Sequence, residues 1–144
     1  MPEPRLDLEA LRKAVASLES ALKIVGNDSW FDAQSPDMQN ILLAGVIQNF
    51  EFVYELSIKM IRRQIELGSD SPDEVDKTSY RDMLRIAGEK GLIPNVEAWF
   101  HYRGMRNLSA HTYDHEKARL VYRDTLTFIT DAQALLAALE AHNG

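Results

Sequence analysis

The stretch from Ser35 to Leu67 limits the fold more than any other part of the 144-residue chain. Ser35-Pro36-Asp37 reads as an N-cap, a proline at the first helical position and an acid in the first turn. From there to about Leu67 the apolar residues fall into two adjacent helical stripes. One is Leu42, Val46, Val53, Leu56 and Met60; the other is Leu43, Ile47, Phe50, Tyr54, Ile58, Ile61 and Ile65. A helix apolar over that much of its circumference has to be wedged between neighbours. It is therefore expected to be the central element of a helical bundle.

The flanking sequence supplies those neighbours. Residues 6 to 25 place Leu8, Leu11, Val15, Leu18, Leu22 and Val25 at spacings of three and four, and Gly26-Asn27 provides a helix stop. Gly68-Ser69-Asp70-Ser71-Pro72 breaks the central helix and makes a polar connection. Ser79 caps a short helix from Tyr80 to Lys90 that ends at Gly91, and Pro94-Asn95 starts another from Val96 to about Leu108. Asp114 caps the last helix, which carries Val121, Leu126, Phe128, Ile129, Leu135, Leu136 and Leu139 and ends in a frayed tail at His142. No sustained alternation and no Asn-Gly or Asp-Gly turn argues for strands. The expected fold is all-α, an antiparallel four-helix bundle with one additional short helix, in one domain over residues 1–144.

Composition narrows the function classes. The chain has no cysteine, which removes disulfides, thiolate metal sites and cysteine nucleophiles, and suits a reducing compartment. Met1-Pro2-Glu3-Pro4-Arg5 leads into a charged amphipathic segment without the apolar core of a signal peptide, and no apolar run approaches the roughly 18 residues of a membrane span. A cytoplasmic protein is expected. A net charge of −6 opposes indiscriminate binding to nucleic acid. The stretch from Trp99 to Arg123 runs against that average: Arg103, Arg106, Lys117, Arg119 and Arg123 face only Asp114 and Glu116. It reads either as an anion-holding surface or as a solvated helix face of mixed charge.

Within that stretch, Arg106-Asn107-Leu108-Ser109-Ala110-His111-Thr112-Tyr113 concentrates the reactive residue types. Arg106 offers a permanently charged fork of donors suited to a phosphate. His111 is of the type that titrates near neutrality and serves as general acid or base. Five residues on a straight helix amount to about 140° of rotation, so the two converge only if the helix ends between them. An arginine beside a histidine is a minimal kit for metal-independent RNA cleavage: the histidine takes the ribose 2′-hydroxyl proton, and the arginine stabilises charge on the phosphorane-like transition state. Asn107 is placed to orient either group. The structural alternative is that Arg106 pairs with an acid such as Glu51 or Glu55 and His111 only caps a helix.

Other clusters weigh less. Glu51, Glu55, Lys59 and Arg62 form a polar stripe on the central helix, best read as solvated or dimer-facing ion pairs, with Glu51 also able to hold Arg106 in place. His101, His111 and His115 lack the spacing of a zinc motif, so no metal and no cofactor is expected. Trp99 and Phe100 lead toward Arg106 and either stack on a base or pack in a core or a dimer contact.

The pattern Arg106-Asn107-x3-His111-x-Tyr113 resembles the Arg-x4-His-x-Tyr signature of HEPN-domain proteins of the HepT type, also described as the substrate-binding subunit of a minimal nucleotidyltransferase. Gly45-Val46-Ile47-Gln48-Asn49-Phe50-Glu51-Phe52-Val53-Tyr54-Glu55-Leu56 with Lys59 resembles the family's central helix, and Gly91-Leu92-Ile93 with Trp99 its approach to the signature. The similarity spans roughly residues 8 to 140. It implies a HEPN four-helix bundle that homodimerises, bringing two corners into one cleft, and a ribonuclease toxin with Arg106 and His111 as catalytic residues. It also implies a small nucleotidyltransferase antitoxin that adenylylates Tyr113. A non-catalytic subunit presenting a nucleotide or substrate to that nucleotidyltransferase is the competing reading, and a purely scaffolding helical dimer the third.

Overall fold

The computed structural model describes residues 5–144, and the proline-rich start of the sequence lies outside them. The described chain is all-helical: α1 (Glu9–Val25), α2 (Asp28–Asp32), α3 (Pro36–Leu67), α4 (Pro72–Asp76), α5 (Tyr80–Glu89), α6 (Val96–Leu108), a 3₁₀ turn (Ser109–His111) and α7 (His115–Asn143). The main helices are the expected ones; the caps expected at Ser35, Ser79 and Asp114 are made, and Asn95 supplies a fourth. Ser35 accepts from the Met38 N–H, Ser79 from Asp82, Asn95 from Ala98, and Asp114 from Glu116 and Lys117. Each such cap satisfies amides that the helix cannot pair internally and is worth about 1 kcal/mol.

α3 is central, packed by α1 and α7 along its length and by α4, α5 and α6 at other parts of its surface. It is long and apolar enough, by length and composition, to cross a membrane. That corrects the reading that no segment qualifies. Packing accounts for much of this apolarity, because Leu43, Val46, Ile47, Phe50, Val53, Tyr54, Met60, Ile61 and Ile65 are buried against the neighbouring helices.

Four local readings are also corrected. α1 begins at Glu9 and not at residue 6, because the Leu6 N–H is bonded to the Asn143 side chain at 3.0 Å and the Asp7 carboxylate accepts from Glu9. The connections after Gly26-Asn27 and after Gly68 are not irregular throughout: they contain the one-turn helices α2, capped by Asn27, and α4, whose Val75 carbonyl accepts from Arg62 Nη1 at 3.0 Å. The chain end is not frayed: α7 continues to Asn143, whose amide donates to Gln64 at 2.6 Å, while His142 Nδ1 lies 2.8 Å from the Ala138 carbonyl. Leu126 is exposed, not core.

The α5–α6 connection turns at Gly91, whose φ of 78° lies where side chains are strained. The next residue, Leu92, donates to the Ala87 carbonyl at 2.9 Å and buries its side chain.

The junction of α3, α6 and α7 is aromatic. Phe128 meets Phe50 and Tyr102 edge-on with centroids 4.8 Å apart, and Trp99 at 5.8 Å. The Tyr102 hydroxyl donates to Asp131 on α7, and Tyr54 and Tyr80 share a hydroxyl hydrogen bond of 2.7 Å. Burial, followed by these partners, raises the pKa of Tyr80 and Tyr102 well above the ordinary phenol value. For Tyr54 burial raises the pKa and outweighs the Tyr80 hydrogen bond, which lowers it. All these phenols therefore stay protonated at neutral pH. This wall of rings fixes α6, the helix that delivers Arg106.

Candidate functional site

The α6 helix stops at Leu108, and Ser109 to His111 tighten into a 3₁₀ turn before Asp114 opens α7. The helix therefore ends between Arg106 and His111, as convergence of the two requires. Ser109, buried beneath the turn, donates its hydroxyl to the Arg106 carbonyl at 2.7 Å and accepts from Arg106 Nη1 at 3.3 Å. One buried serine thus caps the helix end and aims the guanidinium.

Arg106 points toward α3. Its Nη1 lies 2.7 Å from Glu51 Oε2, while Nε and Nη2 both donate to Glu55 Oε1, at 3.0 and 2.9 Å. Glu51 and Glu55 are one helical turn apart and grip the guanidinium from adjacent positions. Glu51 and Glu55 of the polar stripe on α3 are thus paired within the chain, and Glu55 bonds Arg106 in preference to Lys59, four residues further along its own helix. Coulomb energy explains the preference: a planar fork held by two carboxylates in a partly buried position outweighs an exposed pair on one helix face.

His111 lies on the solvent side of the turn. Its Nδ1 is 3.2 Å from the Tyr113 hydroxyl, and the rings meet edge-on with centroids 5.8 Å apart. When Nδ1–H donates to the phenol oxygen, Nε2 keeps a free lone pair, the tautomer a general base requires. Tyr113 is 78% exposed, so its hydroxyl is open to a second macromolecule. Among the described residues no hydrogen bond joins Arg106 to His111, and the exposed Asn107 makes no side-chain bond to either. The chain thus holds the arginine clamped and the histidine free on the two sides of one turn.

The remaining candidates separate. Trp99 is 1% exposed and belongs to the core, whereas Phe100 is half-buried beneath the Arg81 guanidinium. His101 Nε2 bonds Asp124 on α7 at 2.9 Å, on another part of α6 from Arg106. Among the described residues no three histidine or carboxylate groups gather to hold a metal ion. The clamping of Arg106 by Glu55 joins residues 51 positions apart, and residue types alone leave it as one of two alternatives for Arg106.

A family model described as nucleotidyltransferase substrate binding protein like matches residues 6–141. A curated protein of Haemophilus influenzae, probable ribonuclease HepT, is 41% identical over 143 residues, covering 99% of this chain and 98% of its own. A solved structure from Haemophilus influenzae, described as revealing the fold of a substrate binding domain of a nucleotidyltransferase, superimposes with a TM-score of 0.91 at 41% identity. It covers 93% of this chain and 99% of its own.

Proposed function

The chain belongs to the nucleotidyltransferase substrate binding protein like family, and from that membership we propose that it is a HepT-like ribonuclease toxin that cleaves RNA without metal at the Arg106/His111 corner. The observation that carries this reading is the helix break between those two residues, with Ser109 aiming one and the other left free in solvent. In the cleavage step His111 Nε2 takes the proton from a ribose 2′-hydroxyl. The 2′-oxygen bonds to the adjacent phosphorus, the bond to the 5′-oxygen breaks, and that oxygen leaves as a hydroxyl after gaining a proton. Arg106 offsets the charge that builds on the phosphorane-like transition state. Asn107 orients the pair, and Glu51 holds Arg106 until an RNA phosphate competes for it. The active species is a cytoplasmic homodimer in which two corners share one cleft.

The antitoxin in this scheme is a small nucleotidyltransferase that adenylylates Tyr113. The phenol oxygen attacks the α-phosphorus of ATP, pyrophosphate leaves, and the phenol proton passes to solvent. The resulting AMP group sets bulk and negative charge beside His111, excluding an anionic substrate. The exposure of Tyr113 supports this role. Incubated with its partner and ATP, the protein is expected to gain mass in AMP units mapping to Tyr113, and Tyr113→Phe is expected to gain none. An unmodified wild-type chain would remove the adenylylation step from the proposal.

The two carboxylates on Arg106 favour a second reading, a non-catalytic subunit that presents a nucleotide to the nucleotidyltransferase, since they already neutralise the guanidinium. RNA degradation by the purified chain in excess chelator decides between them. Growth arrest on expression, relieved by Arg106→Ala, would favour the nuclease in the same way.

A further inference from the structure

Arginines outside the Arg106 corner are also fixed in place. On the seam between α5 and α6 the Arg81 guanidinium carbon sits 4.5 Å from the Phe100 ring centroid, and that of Arg103 sits 4.5 Å from the Tyr80 centroid. Tyr80 and Arg81 are neighbours on α5, while Phe100 and Arg103 are one turn apart on α6, so the two pairs form successive rungs across the seam. Arg106 lies on the next turn of α6. From Phe100 to Arg106 the helix rises about 9 Å, the span of about two to three stacked nucleotides.

Two properties set this seam apart from an ordinary charged face. Both arginines are exposed, and among the described residues neither has a carboxylate within ion-pair distance, although the chain is acidic overall and Asp82 nearby is paired with Arg85. Their charge is therefore not neutralised. Both are also held against rings, so much of the entropy that a free surface arginine loses on binding is already lost. A guanidinium backed by an aromatic ring leaves N–H groups for a phosphate and a surface on which a base can stack. Tyr54, bonded to Tyr80 at 2.7 Å, lies on α3 one residue before Glu55, which bonds Arg106, so the seam and the corner meet at the same stretch of α3.

We propose that the α5–α6 seam is a binding subsite for single-stranded RNA, in which Arg81 and Arg103, backed by Phe100 and Tyr80, hold the strand that flanks the reacting phosphate. The proposal rests on RNA being the substrate of the Arg106/His111 corner. The seam is the entry track: it holds the strand by phosphate contact and stacking, which explains how an acidic protein retains a polyanion.

The test is fluorescence anisotropy across a salt series, with a labelled, mixed-sequence, single-stranded 2′-O-methyl oligonucleotide that lacks the hydroxyl used in cleavage. The Arg81→Gln/Arg103→Gln chain is expected to bind on the order of tenfold more weakly at about 0.1 M salt. Its log Kd against log salt plot should be shallower by about 1.4, at about 0.7 per lost phosphate contact. The Arg81→Lys/Arg103→Lys chain should recover most of that slope, since charge is kept. The Lys13→Gln/Lys23→Gln chain, with the same charge change on α1, should bind like wild type. A glutamine double variant that folds and matches wild type in Kd and slope, or an α1 control that loses as much, overturns the subsite. If wild type binds the strand but leaves unmodified RNA intact, the nuclease reading fails, and the variants then report only whether the seam binds single-stranded RNA, without a reacting phosphate beside it. If wild type binds no strand at all, both fail.

Discussion

Replacing His111 with alanine is expected to lower RNA cleavage in excess chelator by about 10²–10⁴-fold, the usual worth of a positioned general acid or base. The fold should be nearly indifferent to the change. His111 is exposed and its side chain makes one hydrogen bond, to Tyr113, so the stability cost should stay within about 0.5 kcal/mol. Oligonucleotide binding should also be kept, because the cationic groups are untouched, so the loss should fall on kcat. Added imidazole is expected to restore part of the rate to His111→Ala, since the missing group is a small diffusible base. Arg106→Ala is a less selective probe. It strands Glu51 and Glu55 beside each other without their shared cation, so it perturbs α3, binding and chemistry together. Undiminished cleavage by folded His111→Ala protein would end the assignment of His111 as the base.

Sequence and structure agree where the governing physics is local. The caps at Ser35, Ser79 and Asp114 need only a short polar side chain a few residues before an amide, and all three are made. The double stripe on α3 needs only the helical period, and it correctly marks the helix that others surround. α2 and α4 were hidden because each is five residues long, too short for a period to register. Tertiary contact hid the rest. Whether Glu55 pairs with Lys59 on its own helix or with Arg106 on another depends on how α3 and α6 approach, which spacing does not encode. The same holds for Arg81 over Phe100, a contact between helices joined by a loop. Trp99 and Phe100 are adjacent in sequence, and only the orientation of α6 decides that one is core and the other lies under a cation. The segment from Arg106 to Tyr113 can be located from residue types, and so can Glu51 and Glu55 as possible partners of Arg106, yet only the approach of α3 and α6 decides that both acids hold it.

Phe128→Ala is expected to produce the largest loss of stability, about 3–5 kcal/mol, a substantial share of the about 5–15 kcal/mol that holds a domain together. The ring is fully buried and touches Phe50 on α3 and both Trp99 and Tyr102 on α6, so its removal opens a cavity that three helices border. Aromatic neighbours cannot easily close such a hole, because each is already fixed edge-on and Tyr102 is tied through its hydroxyl to Asp131. The melting temperature should fall by about 10–17 °C, read by circular dichroism. Phe128→Leu, which keeps most of the volume, should lose far less. The consequence for function is directional. α6 is held by this cluster, and its last turn carries the guanidinium whose reach to Glu51 and Glu55 crosses between helices. At a temperature where Phe128→Ala remains folded, cleavage should drop because α6 moves against α3, and KM should rise with the loss of Arg106 alignment. His111→Ala should instead leave KM nearly unchanged. A Phe128→Ala protein that melts within a few degrees of wild type would mean that the aromatic junction does not set the position of α6, and the Arg106 clamp would then have to be maintained by Ser109 and the two glutamates alone.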